Sequence, residues 1–254
     1  MRNGVSVLAI LLWAALPAMA QELTERHYTK LVVPSKKTFR ILIDSVQLDT
    51  LVMEDNSKLR FDLPETILLA ENVFVGRNCL WDASGAPGNN AEKSSVEVSK
   101  DGTGGGDGTN GNSITSIVFL HSLGNLTIRT RGGKGGSGKN GAAGVSDRGP
   151  TPTTTDQKRG GDGGPGGNGG QGGNITFYYA TAGFQVAFND TRQNSVAFDF
   201  AGGTGGRGGQ GGLGGDIGKT AMPKYEYPQK AQRGASGPSG KDGNNGALFL
   251  ERLK

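Results

Sequence analysis

Cysteine, aromatic side chains and long apolar runs are scarce in this chain of 254 residues. The single cysteine, Cys79, excludes an internal disulfide. Hydrophobic residues make up 34% and aromatic residues 7% of the chain, so any core must be assembled from thin slices of side chains. The 10 prolines are too few for a continuous collagen triple helix, which also needs an unbroken glycine triplet.

An excess of charge of one sign is also absent. The 27 basic and 23 acidic residues give a formal net charge of only +4, which favours neither nucleic-acid binding nor membrane-surface binding. The longest apolar run, from Val5 to Pro17, is shorter than the roughly 20 residues that a membrane-spanning helix needs. We therefore expect no nucleic-acid partner and no membrane span.

The N-terminus has the pattern of a secretory signal. Arg2 precedes the apolar run, which is followed by the small-residue sequence Ala18-Met19-Ala20. The sequence predicts a signal peptide over residues 1–20 and a secreted, extracellular or cell-surface protein, with the periplasm as an alternative. Cys79 is flanked by apolar residues, which predicts a buried, inert thiol; intermolecular pairing is the alternative.

Residues 21–84 are predicted to form a β-rich N-terminal region. Short segments with near-alternating apolar residues, among them 46–48, 51–53 and 73–75, are typical of strands. Their spacing of about five to eight residues favours the coils of a β-solenoid, with corners at 56–57 and 76–78. A small β-sandwich is the alternative.

Glycine is abundant, with 46 residues, and recurs at every third position in separate blocks between 85 and 246. Polyproline II also repeats every three residues, so glycine in register leaves one bare face along such a rod. Blocks that repeat Gly-Gly-X, at 160–172 and 202–214, are predicted to lie in the interior, whereas the Gly-X-X block at 234–246 is predicted to lie at the edge. Flexible linkers are the alternative, but linkers have no reason to keep register and length.

Short alternating apolar segments return between the glycine blocks and predict further strands. The predicted fold class is therefore all-β and irregular: a β-solenoid, or stacked β-rungs, with a projecting glycine-rich polyproline II helix bundle over residues 85–254.

The segment from Arg159 to Tyr178, in which a Gly-Gly-X run leads into Asn174-Ile175-Thr176-Phe177-Tyr178, resembles the glycine run and strand of the Obg GTPase N-terminal domain. The glycine blocks are also similar to receptor-binding adhesins of phage tail fibres, to the snow flea antifreeze protein and to bacterial secreted collagen-like proteins. These resemblances imply bundle packing, surface or matrix roles and, for the antifreeze protein, ice binding. They imply no shared catalytic residues.

The apparent motifs for catalysis and cofactor binding are incomplete or nonspecific. The Gly-x-Gly-x-x-Gly matches arise from any Gly-Gly-X tract, and the phosphate-loop pattern ending at Gly218-Lys219-Thr220 has Leu213 where its first glycine is needed. His27 and His121 have no evident nucleophile or metal partner and are predicted to lie at the surface. We expect no catalytic residues, no cofactor and no metal site.

The sequence therefore predicts a non-enzymatic, secreted structural or adhesive protein that presents loop tips to a cell-surface or matrix component such as a glycan, or that self-assembles. The predicted partner-binding residues combine amphipathic aromatic and basic side chains, which are enriched where proteins contact partners. They are Lys224, Tyr225, Tyr227, Lys230 and Arg233. An ice-binding protein and a polysaccharide-active β-solenoid enzyme are the alternatives.

Overall fold

The computed structural model describes residues 21–23, 26–91, 100–146, 155–190, 192–217 and 230–254. The predicted signal peptide lies outside these residues. The elements in chain order are the strands β1 (Gln21–Leu23), β2 (His27–Val33), β3 (Thr38–Ile41), β4 (Ser45–Met53), β5 (Lys58–Phe61), β6 (Glu65–Val75), β7 (Cys79–Asp82), β8 (Ser113–Leu123) and β9 (Asn125–Arg129), the short helix α1 (Thr155–Lys158), and the strands β10 (Ile175–Thr181), β11 (Ala187–Phe188), β12 (Ser195–Asp199) and β13 (Leu248–Arg252).

The strands form two parallel β-sheets. One has seven strands in the order β1-β3-β5-β7-β9-β12-β11, and the other has six in the order β13-β10-β8-β6-β4-β2. From β1 to β9 successive strands alternate between the two sheets, and each strand pairs in parallel with the next strand of its own sheet. Parallel sheets need both faces covered, and helices do this in α/β proteins. Here each sheet covers the inner face of the other.

This architecture corrects the predicted fold class. The β-solenoid with a projecting polyproline II bundle is wrong: the described residues form two parallel sheets, with one helix of four residues. The short spacing of apolar segments was misleading because segments 46–48 and 51–53 belong to the single strand β4. Pairing partners lie much farther apart in sequence, since Leu31 pairs with Leu51 and Leu51 pairs with Val73.

The apolar core lies between the two sheets. Strict alternation along the strands, such as the intermediate–buried–intermediate–buried pattern of β3 and of β5, sends every second side chain inward. Trp81 is at the centre, with its ring centroid 6.2 Å from that of Phe61 and 6.3 Å from that of Phe177. The largest fully buried side chains are Trp81, Phe61, Phe177, Ile41, Leu48, Leu51, Met53, Leu59, Leu68, Ile114, Leu120 and Leu126.

Tight turns close one end of the sheets. Lys36, Asn56 and Asn78 have φ angles of 60°, 61° and 53°, and asparagine is among the side chains that tolerate this left-handed region best. The segments 56–57 and 76–78, which the sequence analysis predicted as corners, contain these two asparagine turns. Next to them, Cys79 is buried, as predicted. Burial raises the pKa of its thiol, whose Sγ lies 3.3 Å from the Glu54 carbonyl oxygen.

At the other end, the strands continue directly into the glycine tracts. The Ile114 amide donates to the Asn174 carbonyl within the six-stranded sheet, and Gly111 and Gly102 donate in the same way to Gln171 and Asp162. The donor and acceptor are 60 positions apart in all three bonds, so the tracts preserve the strand register. The tracts are therefore extensions of the sheets and do not form a separate projecting bundle.

We name the two resulting layers by their sheets. Layer A is the seven-stranded sheet with tracts 83–91, 130–146 and 201–217. Layer B is the six-stranded sheet with tracts 100–112, 159–174 and 230–247.

Hydrogen bonds join the tracts both within and between layers. Within a layer, the first glycine of a triplet donates, as Gly135 does to Thr204 over 2.8 Å. Between layers, the second glycine of a Gly-Gly-X triplet, or the single glycine of the Gly-X-X tract 230–247, donates to the tract opposite. One such series of bonds passes through all six tracts, in the order Gly240, Gly206, Gly167, Gly136, Gly106 and Asn89, each amide donating to the next carbonyl. The backbone thus replaces side chains as the material that fills the interior.

Bare glycine faces pack directly on neighbouring backbone, as the sequence analysis predicted. A Cβ atom added to Gly167 would lie 1.9 Å from the Gly106 carbonyl oxygen, and one on Gly166 would lie 2.1 Å from that of Gly206. Both glycines of a Gly-Gly-X triplet are therefore closed to any side chain. In the Gly-X-X tract, a Cβ atom added to Gly240 would likewise lie 1.9 Å from the Gly167 carbonyl oxygen.

Asparagine and aspartate at the X positions complete this hydrogen bonding. The Asp107 carboxylate accepts from the Asn168 amide over 2.6 Å, and the Asn168 side-chain oxygen in turn accepts from the Lys241 amide over 2.9 Å. Across the layers, Asp242 of layer B accepts from the amide of Gly205 in layer A over 2.7 Å. These short polar side chains satisfy outward-facing backbone donors that have no carbonyl partner.

Candidate functional site

The predicted partner-binding loop is only partly described. Lys224, Tyr225 and Tyr227 lie outside the described residues, as do residues 147–154 of the other long loop between glycine tracts, whose tip was predicted at 151–155. Lys230 forms an isolated antiparallel bridge with Asp216, and the Arg233 Nε donates to the Gly211 carbonyl oxygen over 3.1 Å. The structure therefore places Lys230 and Arg233 beside tract 201–217, with both residues exposed.

A second basic cluster lies on the outer surface of the layer A tracts. It consists of Arg131, Lys134, Lys139 and Arg207, which we call the basic row. Arg131, Lys134 and Arg207 are exposed, and Lys139 is half-buried. The glycine pairs on either side of Lys134 and Arg207 face neighbouring backbone, so the third residue of the triplet has only the solvent side available.

Backbone hydrogen bonds fix the relative positions of these cations. The Gly132 amide donates to Ala201, Gly135 to Thr204 and Gly138 to Arg207, so successive triplets of the two tracts lie side by side. Lys134 is therefore at the level of Thr204, and Arg207 is one triplet further along the neighbouring tract. Arg131, Lys134 and Arg207 therefore form a regular array on a hydrogen-bonded backbone, whereas Lys139 is the second residue of its triplet, the position at which Gly133 and Gly136 face neighbouring backbone.

The charges on the two layers differ in sign and in how they are used. Between the first and last in-register glycines, the described layer A tracts carry Lys134, Lys139 and Arg207 and no carboxylate, whereas those of layer B carry three aspartates and one lysine. The layer B carboxylates accept backbone hydrogen bonds, as the Asp162 oxygen does from the Ala235 amide over 2.8 Å. The cations of the basic row make no ion pair or side-chain hydrogen bond with any described residue.

An open groove lies at the turn end of the sheets, with a volume of about 350 Å³. Arg77, His121 and Phe184 contribute to its lining, together with Asp55, whose Oδ1 accepts the Arg77 amide over 2.7 Å. Both histidines are exposed, as predicted: His121 Nε2 lies 2.9 Å from the Asn72 side-chain oxygen, and His27 Nε2 lies 2.8 Å from Asp49 Oδ1. Ser122 also lines the groove, but among the described residues no hydrogen bond joins its hydroxyl to His121.

Among the described residues, no three His, Cys, Asp or Glu side chains are grouped so that they could hold a metal ion. No helix in the described ranges has the length and hydropathy needed to cross a membrane. Comparison with protein-family models, with curated proteins and with solved structures gives no significant match. The resemblance to glycine-rich bundle proteins therefore stays an expectation from the sequence.

The sequence analysis missed the basic row, although it contained part of the signal. The triplet register already shows that Lys134 and Arg207 occupy X positions and point outward. What it does not show is that tracts 130–146 and 201–217 are neighbours in one layer. That adjacency depends on pairing between strands β9 and β12, which are 70 residues apart in register, from Asn125 to Ser195.

Proposed function

We propose that this is a secreted, non-catalytic structural or adhesive protein whose basic row binds an acidic polymer, such as an anionic glycan, of a cell surface or matrix. The observation that carries the proposal is the set of regularly placed cations Arg131, Lys134 and Arg207, with Lys139 on the same tract, which have no carboxylate partner among the described residues.

The rigidity of the tracts supports binding to a repeating anion. A single exposed ion pair contributes only about 0.5 kcal/mol, because water and salt screen it and side-chain freedom is lost. Several cations on one fixed backbone act together, since the polymer presents many charges to one preordered array. Binding of this kind weakens as salt increases.

The start of tract 230–247, with the residues that precede it in sequence, provides a second contact in this proposal. Lys230 and Arg233 lie at the end of tract 230–247 that is farthest from the strands, and the loop residues Lys224, Tyr225 and Tyr227 precede them in sequence. Aromatic and basic side chains together suit a sugar ring bearing a carboxylate or sulfate.

The test is retention on immobilised heparin, used as a sulfated polysaccharide, with neutral dextran as the reference. We expect the wild-type protein to bind heparin and not dextran. The triple variant Arg131→Gln, Lys134→Gln, Arg207→Gln should elute at markedly lower salt.

The control variant Lys30→Gln, Lys36→Gln, Lys37→Gln removes the same charge from exposed positions of the strand region. It should elute close to the wild type. An equal shift for the two triple variants would mean that only net charge matters, and unchanged retention of the first would exclude the basic row. Release of shortened chains from a glycan substrate would overturn the non-catalytic assignment.

Replacing residues 223–228 with Gly-Ser repeats tests the loop separately. We expect weaker retention with an unchanged melting temperature. Retention identical to that of the wild type would show that the loop makes no contact with the polymer.

A further inference from the structure

The backbone amides of the X residues in tract 159–174 of layer B are bound by short side chains of the neighbouring tract. The Asn168 carbonyl accepts from Gly108, and the residue before that glycine, Asp107, accepts from the Asn168 amide. We call the place of Asp107 the acceptor position. The bonds of this kind run from Asp162 to Asp101 at 2.7 Å, from Asn168 to Asp107 at 2.6 Å, from Gln171 to Asn110 at 2.8 Å and from Asn174 to Ser113 at 3.1 Å.

The remaining X residue of this tract is a proline, and it follows the same rule. Pro165 has no N–H to donate. Its carbonyl accepts from Gly105, so the acceptor position opposite it is Gly104, which has no side chain. Layer B therefore provides an acceptor where an outward amide exists and omits it where the amide is missing.

Layer A follows the rule away from the basic row and departs from it within the row. The Gln210 amide donates to the Asn140 side-chain oxygen over 2.8 Å, so layer A can form the same bond. Opposite Thr204, however, the acceptor position is Lys134, because Gly135 donates to the Thr204 carbonyl. A lysine side chain cannot accept a hydrogen bond. The Thr204 amide has no hydrogen-bond partner in the described chain.

Two further amides beside the basic row are free in the same way. Arg131 is at the acceptor position opposite Ala201, and Ser137 is at that opposite Arg207. Neither the Ala201 amide nor the Arg207 amide has a partner within the described ranges. Ala201, Thr204 and Arg207 are successive X residues, so their amides are roughly 9 Å apart for a rise of about 3.1 Å per residue.

The exchange of an acceptor for a cation suits an acceptor that comes from outside the chain. In layer B the acceptor position opposite Asn168 holds the carboxylate of Asp107, whereas the one opposite Thr204 holds the ammonium group of Lys134. A carboxylate of a ligand can accept from the free Thr204 amide and pair with Lys134 at once. Hydrogen bonds between charged groups of this kind are shorter and stronger than neutral ones.

We propose that the basic row binds the carboxylates of a polyuronate, an acidic polysaccharide built from uronic-acid sugars, each carboxylate accepting from a free X amide beside a cation. This inference rests on the proposed function, since it names the acidic group that the basic row recognises. Carboxylates of Asp107 and Asp162 already fill the equivalent position within layer B. A polymer with regularly placed carboxylates can occupy several of the free amides together.

The experiment removes one amide without changing the charge. Thr204→Pro deletes the N–H beside Lys134, and the backbone accommodates proline at this triplet position in Pro165 and Pro238. Isothermal titration calorimetry with polygalacturonate, at one fixed salt concentration, measures binding. We expect the dissociation constant to rise about tenfold, since a hydrogen bond to a charged group is lost. An unchanged constant overturns the inference.

Leu213→Pro is the matched control. The Leu213 amide also lacks a partner among the residues that the structure describes, but its acceptor position holds Ala143 in place of a cation. This variant should bind polygalacturonate like the wild type. Equal losses in the two proline variants would trace the effect to the tract backbone and overturn the inference.

Ser137→Asn is a second variant, which serves if Thr204→Pro fails to fold. It places opposite Arg207 the side chain that Asn140 places opposite Gln210, so the protein's own oxygen should occupy the Arg207 amide. We expect binding several-fold weaker at unchanged net charge. Binding of this variant equal to that of the wild type would overturn the inference.

Dextran sulfate, which has sulfates and no carboxylates, separates this inference from the proposed function. Thr204→Pro should weaken binding of polygalacturonate more than binding of dextran sulfate. Equal weakening would overturn the choice of a carboxylate and leave the basic row as the binding surface, provided that Arg131→Gln, Lys134→Gln, Arg207→Gln still reduces binding of both polymers. A wild-type protein that binds neither polymer would overturn both proposals.

Discussion

The strand region and the glycine region of this molecule fill their interiors in opposite ways. In the strand region, side chains such as Trp81 and Phe61 pack between two sheets and the backbone lies outside them. In the glycine region the same two layers continue, yet the interior is backbone against backbone, as at Gly167 and Gly106. The comparison shows that one register and one layer order can be sustained with or without apolar side chains.

The two regions also differ in how they use charge. On the outer face of the seven-stranded sheet, Asp82 accepts from Lys58 at 2.5 Å and from Arg60 at 3.2 Å, and Asp62 accepts from Arg40 at 2.7 Å. Burial alone would raise the pKa values of Asp62 and Asp82, but hydrogen bonds from these cations lower both. These charges on the outer face of the seven-stranded sheet are thus paired with each other, whereas those of the basic row have no ion-pair partner among the described residues.

Truncating a core side chain should lower the free energy of unfolding most in the strand region. Trp81→Ala deletes the central buried ring and its Nε1–Met53 Sδ contact of 3.1 Å, so we expect a loss of about 4 kcal/mol of unfolding free energy. The neighbouring Leu80, half-buried on the outer face, is the control, and Leu80→Ala should cost about 1 kcal/mol or less. Urea unfolding measures both, and equal losses would contradict the assignment of the core.

Adding a Cβ atom at a glycine should lower the stability of the fold most in the glycine region. Gly167→Ala places a Cβ 1.9 Å from the Gly106 oxygen, and the backbone on both sides is already hydrogen-bonded, so we expect a loss of about 3 kcal/mol. Calorimetric melting of the variant tests this. A melting temperature equal to that of the wild type would show that the tracts can separate at no cost.

Acid should weaken the strand region through Asp82. The pKa of this carboxyl is lowered from 3.8 to about 2, so its stabilisation is complete above about pH 4 and is lost as pH falls toward 2. The corresponding loss of unfolding free energy is about 2 kcal/mol. Unfolding free energies measured at intervals over this range should fall less steeply in Asp82→Asn than in the wild type. Parallel curves for the two proteins would contradict the prediction.

The smallest effect is expected where the glycine region meets solvent. Asn168→Ala removes the side-chain oxygen that accepts the Lys241 amide but adds no atom to the interior, so we expect a loss of about 1 kcal/mol. Paired with Gly167→Ala, it compares two adjacent residues of one triplet. A loss larger than that of Gly167→Ala would reverse the proposed roles of glycine and asparagine.

The sequence supports local features of this fold better than its global arrangement. Alternation predicted the strands, the triplet register predicted which glycine faces are covered, and the flanking apolar residues predicted the burial of Cys79. The fold class was wrong because both periods, two and three, describe only a chain segment and not its lateral neighbours. Pairing of Asn125 with Ser195, or of Ile114 with Ile175, has no local signature.

The candidate sites show the same division. The basic row could be read as outward X positions, but its assembly on one surface required the adjacency of tracts 130–146 and 201–217. The exposed apolar side chains on the outer face of the six-stranded sheet were harder to anticipate, since Ile117 and Phe119 look like ordinary strand residues and nothing in the sequence says which side of the sheet is covered. Of the predicted loop residues, only Lys230 and Arg233 belong to the described chain.

The hydrogen bonds of the glycine tracts also determine the electric dipole of the stack. Amides of the first glycines, such as Gly135, point toward later tracts of their own layer, whereas those of the second glycines, such as Gly206 and Gly167, point toward earlier tracts. Each peptide carries a dipole of about 3.5 D, and along the stack these two sets have opposite senses. Unlike in an α-helix, the peptide dipoles of the array therefore do not all add in one direction.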